Sequence, residues 1–162
     1  MAAVDIREMQ KKRVVVVGIG NVLLKDEGIG VHVSEMLQGL PFPEGVSLDI
    51  IDGGTCPDVF LSLGHVDKLI VIDAADGAGK PGTIYRIDPE DIECDLMNTA
   101  STHDIALPHS LKMMECLGDR PNEIVIFGIQ PGDIDWGLEP TPDLKEIVPN
   151  VVKLIQEEME RC

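Results

Sequence analysis

Aromatic residues are scarce in this chain: three Phe, one Tyr and one Trp among 162 residues. Its core must therefore be built from Val, Ile, Leu and Met. Basic residues are also few, 13 Lys and Arg against 29 Asp and Glu, for a formal net charge of −16. A phosphate-binding surface needs clustered Lys and Arg. The one basic cluster, Lys11-Lys12-Arg13, reads as a solvated flank before a strand. Nucleic acid is thus excluded as a partner, whereas a basic protein or a cation suits the charge. The four cysteines, Cys56, Cys94, Cys116 and Cys162, include no C-x-x-C pair, which argues against a zinc ribbon or thioredoxin-like site. Their placement fits free thiols in a reducing cytosol. Cys116 falls on an apolar helical pattern and reads as core; Cys56, after a Gly-Gly turn, keeps a functional reading open. No apolar leader precedes the first strand, and no apolar run approaches the length of a membrane span. The expectation is a soluble, cytoplasmic protein with no membrane partner. Also missing are a Walker loop, a G-x-S-x-G elbow and an H-E-x-x-H pair.

What is present is an alternation of strand and helix patterns. Arg13–Ile19 is a β-branched run of the kind buried on both faces of a parallel sheet. Ile29, Val33, Met36, Leu37 and Leu40 then recur at helical spacing, with Gly39 and Pro41 ending the run and Asp26 read as its N-cap. Val46–Ile51 reads as a strand leading into Asp52-Gly53-Gly54, Pro57–Leu63 as a short helix, and Lys68–Ile72 as a third strand ending at Asp73. The loop 74–81 is too short for a parallel crossover, so Gly82–Ile87 is expected antiparallel to the third strand, as a hairpin. Residues 88–101 read as an exposed excursion. A helix opening at Thr102 or His103, or at about Leu107 because of Pro108, carries Leu107, Leu111, Met114 and Leu117. Glu123–Ile129 is the last strand, 130–142 a loop, and Leu144 to Ile155 the apolar face of a C-terminal helix. The expected fold is a single α/β domain over residues 1–162: a polar lead-in (1–12), then a three-layer α/β/α sandwich (13–160) with a mixed, mainly parallel five-stranded sheet.

Ligands in such sheets bind at the carboxyl ends of parallel strands, near the switch point. Glu27, Asp52 and Asp73 fall at or beyond such ends. His103, at the head of a later helix whose apolar face looks toward the sheet, is expected on the same rim, and an imidazole with carboxylates suits nickel, zinc or manganese. Each has a plainer reading: Glu27 as a first-turn acid favouring a helix dipole, Asp52 as a turn former, His103 as a cap or packing residue. A carboxylate ending a buried strand, as at Asp73, tilts toward function. His32, His65 and His109 read as surface or loop residues. Gly18-Ile19-Gly20-Asn21-Val22-Leu23 begins like a dinucleotide fingerprint, but Leu23 stands where Gly or Ala should be.

The segment from Gly18 to Val31 resembles the opening motif of nickel–iron hydrogenase maturation endopeptidases. Asp52-Gly53-Gly54-Thr55, Leu69 to Ala74, Ser101-Thr102-His103, and Gly128-Ile129-Gln130-Pro131 with Gly137-Leu138 and Pro140 are similar to the family's later motifs, in order. The pattern is similar to archaeal members serving coenzyme F420-reducing hydrogenases. The resemblance implies metal-binding roles for Glu27, Asp73 and His103 and a site role for Asp52 affecting processing. It also implies one cut beyond a C-terminal cysteine motif of the large-subunit precursor, made after nickel insertion. The resemblance further implies that the nickel arrives with the substrate protein and that zinc or cadmium can substitute for it in a crystal. The rival readings are a non-catalytic, nickel-dependent assembly adaptor and a nucleotide-binding module.

Overall fold

The computed structural model describes residues 11–91 and 106–161. Five strands form one sheet: β1 (Lys12–Ile19), β2 (Val46–Gly54), β3 (Lys68–Ala74), β4 (Ile84–Ile87) and β5 (Glu123–Ile129), in the order β2-β1-β3-β5-β4. β1 pairs in parallel with β2 and β3, and β3 pairs in parallel with β5. Helices α1 (Ile29–Gln38), α2 (Ala106–Leu117) and α3 (Pro142–Glu160) accompany the sheet, with 3-10 segments at Lys25–Gly28 and Pro57–Ser62.

The four consecutive valines of β1 show why the sheet is covered on both faces. Side chains alternate along a strand, so Val14 and Val16 join α1 and α3, while Val15 and Val17 join the Pro57–Ser62 segment and α2. All four are fully buried, each contributing about 2 kcal/mol of apolar burial. The α/β/α sandwich with a mixed, mainly parallel sheet is as the sequence pattern suggests.

The expected hairpin does not form. β4 runs antiparallel, but beside β5, with Ile84 opposite Ile129 and Ile87 opposite Ile126. The reason is burial. The β5 residues Val125, Ile126 and Phe127 are buried and need neighbours on both sides. The four-residue β4, with exposed Arg86, is suited to the edge.

The helix α2 buries Leu111 and Met114, yet Leu117 and Cys116 are exposed, contrary to expectation. Cys116 lies two residues, about 200°, around the helix from Met114. Met36 of α1 is likewise exposed. The expected helix opening at Thr102 or His103, the 92–101 part of the excursion, Cys94 and Cys162 lie outside the described residues.

One charged group is buried far from the carboxyl ends of the strands. Lys68, 2% exposed at the start of β3, donates to Glu158 Oε1 at 2.9 Å and to the Glu158 carbonyl at 3.0 Å. Glu158 is 3% exposed and also meets the Arg86 guanidinium at 3.3 Å. Burial alone would raise the Glu158 carboxyl; hydrogen bonds from Lys68 and Arg86 outweigh it and hold the group below the ordinary glutamate value. A carboxyl held low contributes stability above its unfolded value of about 4.3, and that contribution is lost as pH falls through the folded value. Removing Lys68 leaves the buried Glu158 carboxylate with the exposed Arg86 and Arg161 guanidinium groups beside it. Lys68→Met should therefore cost about 3 kcal/mol at pH 7 in urea melts. Adding Glu158→Leu should return part of the loss, and the single-variant penalty should shrink in acid. A penalty under about 1 kcal/mol at pH 7 would mean the pair is dispensable.

Candidate functional site

The chain runs from β1 outward to β2, then returns across β1 to β3, so the switch point lies between the carboxyl ends of β1 and β3. Asp73 is the sixth residue of β3, one beyond Ile72, which pairs with Gly18 of β1. It is half-buried, and its Oδ1 accepts the Ala74 amide at 2.8 Å. Glu27 lies in the 3-10 turn between β1 and α1, a turn that packs on β3.

Glycines make that approach possible. A Cβ on Gly30 would stand 2.2 Å from the Ile72 carbonyl oxygen and 2.3 Å from that of Ile19. One on Gly18 would meet the Gly30 carbonyl at 2.2 Å, and one on Gly20 (φ +147°) the Glu27 carbonyl at 2.0 Å. The start of α1 therefore lies directly on the sheet. The space beside these glycines is filled by the chain's own carbonyls, so the loop serves helix packing rather than a dinucleotide's phosphates.

Asp26 is not the helix cap that its position suggests. The turn has no side-chain cap, and Asp26 is completely buried. Its Oδ2 accepts the amides of Gly132 (2.8 Å) and Asp133 (3.0 Å) and the Thr141 hydroxyl (2.9 Å); its Oδ1 accepts the Thr141 amide at 2.6 Å. One carboxylate thus ties the loop after β5 to the turn that carries Glu27. A parallel bridge between Leu24 and Gly137 and an ion pair between Lys25 and Asp133 reinforce the tie. That pairing holds the Lys25 ammonium above its ordinary value and the Asp133 carboxyl below its own.

Gln130 does the same for the segment after Asp73. Its Oε1 accepts from the Gly77 and Gly79 amides and the Tyr85 hydroxyl, and its Nε2 donates to Asp76. Only the long-range geometry discloses these roles, although Gln130 stood inside a recognisable segment.

Asp52 lies at the end of β2 and is exposed. Its Oδ1 accepts the Gly54 amide at 2.8 Å, a turn-shaping contact. The sheet register slips here: Gly18 pairs with Asp52 and Ile19 with Gly54, leaving Gly53 bulged. Among the described residues, no three His, Cys, Asp or Glu side chains gather closely enough to hold a metal ion. Asp52 therefore does not complete a three-carboxylate set with Glu27 and Asp73, and His103 lies outside the described residues. His65 and His109 are exposed, as expected, whereas His32 is only half-exposed, with Nε2 buried and lacking a hydrogen-bond partner among the described residues.

The model of the hydrogenase maturation protease family matches residues 31–158. The chain belongs to that family. It is 31% identical to the hydrogenase 2 maturation protease of Escherichia coli over 139 residues, covering 84% of each protein. It is 31% identical to the hydrogenase expression/formation protein HupD of Thiocapsa roseopersicina over 148 residues, 89% of this chain and 66% of that longer relative. The hydrogenase maturating endopeptidase HybD from E. coli superposes with a TM-score of 0.80 at 26% identity, over 92% of this chain and 93% of that one. No helix of the described residues is long and apolar enough to cross a membrane.

Proposed function

We propose that this member of the family removes the C-terminal extension of a nickel–iron hydrogenase large-subunit precursor once that precursor carries its nickel. Family membership supports the hydrolytic activity and the hydrogenase partner. The nickel-dependent part is supported by Asp73 near the carboxyl end of β3, at the switch point, and by Glu27 in the 3-10 turn that packs on β3. These are hard carboxylate donors, and His103 would supply an imidazole as the third. Such a mixed nitrogen and oxygen set fits nickel or zinc.

The ion belongs to the substrate. Glu27, Asp73 and His103 would occupy vacant positions on it and so hold the neighbouring peptide bond in register. Hydrolysis then needs a polarised carbonyl or an activated water, which the substrate's own ion can supply. Otherwise the ion serves only recognition and Asp52 acts as general base. In either form, a precursor without nickel offers nothing for the three residues to grip.

The test compares nickel-loaded with nickel-free precursor, reading the precursor's C-terminus by mass spectrometry. Cleavage confined to the loaded form is expected. Equal cleavage of both defeats the nickel-gated reading, and nickel-dependent binding with no cut defeats the peptidase in favour of an assembly adaptor.

A further inference from the structure

The loop pinned by Asp26 displays a cluster of apolar side chains that the fold leaves uncovered. Trp136 is 78% exposed, and Leu138, Ile134 and Leu23 are also exposed. The Leu24–Gly137 bridge joins the two loops that carry them. The Lys25 amide donates to the Gly137 carbonyl, and the Gly137 amide to the Leu23 carbonyl, both at 2.9 Å. Trp136 and Leu138 therefore flank the bridge point, with Leu23 on the opposing segment. Glu27 lies three residues beyond Leu24, within the same locked assembly.

Large exposed apolar clusters on a folded domain mark interaction sites, and tryptophan is among the residue types most enriched in binding hot spots. The backbone beneath this cluster is held rigidly by the Asp26 hydrogen bonds, the bridge and the Lys25–Asp133 pair. Little ordering entropy is then lost on binding.

Charge selects the occupant. Asp133, Asp135 and Glu139 lie in the same loop, and the nearby Lys25 and Lys145 are already paired with Asp133 and Glu139. The whole chain carries −16. A second copy would bring the same negative charge to this face, whereas a basic partner would be attracted to it.

We propose that Leu23, Ile134, Trp136 and Leu138 form the docking surface for the substrate protein, receiving an apolar segment of it flanked by Lys or Arg. This rests on the precursor-processing reading above and adds a place where the precursor is held, apart from the residues that grip its ion.

Trp136 is the chain's only tryptophan, so protein labelled with 5-fluorotryptophan gives a single fluorine resonance. Titrating it with unlabelled, nickel-loaded precursor should shift or broaden that resonance to saturation. The double variant Trp136→Ser, Leu138→Ser should raise KM about tenfold or more, with the loss on KM and the melting temperature unchanged. A resonance that stays still while cleavage proceeds, or a variant with the KM of the unaltered protein, overturns the proposal. So does a shift that follows the concentration of the labelled protein alone, which would assign the surface to a second copy. If the unaltered protein never cuts the precursor but the resonance still responds to it, the docking surface stands and the peptidase reading falls.

Discussion

Glu27→Gln and Asp73→Asn should each slow processing of nickel-loaded precursor by about 100-fold or more, with the melting temperature within about 2 °C of the unaltered protein. Both substitutions preserve shape and remove a negative charge. The side-chain oxygen that remains after Asp73→Asn can still accept the Ala74 amide, as the carboxylate does, and neither position lies in the apolar core. The loss is therefore one of donor strength toward a cation rather than of folding. How it divides is informative. If the carboxylates only hold the precursor's ion in the ground state, KM rises and kcat stands. If they also brace the geometry of bond cleavage, kcat falls as well. His103→Ala should follow the same pattern. Full processing rates in the Glu27 and Asp73 variants would remove these side chains from the site. An assay of binding to loaded and unloaded precursor then shows whether discrimination disappears along with the rate.

Much of this arrangement was readable from residue order because it depends on local rules. Strands β1, β3 and β5 are continuous β-branched or apolar runs, and β5 has the bounds that the pattern suggests. Asp73 near the carboxyl end of β3 and Glu27 in the turn after β1 lie where the strand and helix patterns put them. What escaped the sequence was governed by distant partners. The neighbour of β4 depended on which strand most needed burial on both sides, a comparison between segments. Lys68 in an apolar strand gave no hint of Glu158, 90 residues away. Cys116 was misplaced because it lies about 200° around the helix from Met114, off the face that meets the core. Asp26 was misread for the most instructive reason. An acid at the start of a helix has a ready local explanation, whereas its actual partners stand 106 to 115 residues further along.

Asp26→Ala should destabilise the protein by about 4 kcal/mol in urea denaturation and abolish processing. The carboxylate accepts four hydrogen bonds, three from backbone amides and one from a hydroxyl. Orphaning a buried donor costs about 1–3 kcal/mol, and the part-buried setting of these donors lets water recover some of that. The alanine also leaves a void in a fully buried position. The functional loss follows from connectivity. Asp26 precedes Glu27 in the same four-residue turn, so releasing the loop from Gly132 to Thr141 frees the turn as well, and with it the docking residues Trp136 and Leu138. Asp26→Asn separates the two effects. Its amide nitrogen cannot accept, so it can replace only one carboxylate oxygen. It should retain part of the stability while still failing to hold both ends of the loop, leaving a folded protein with a raised KM. An Asp26→Ala protein that melts within about 1 kcal/mol of the original and cuts at the original rate would show that the loop is held by its other contacts, and that the buried carboxylate is not what couples it to Glu27.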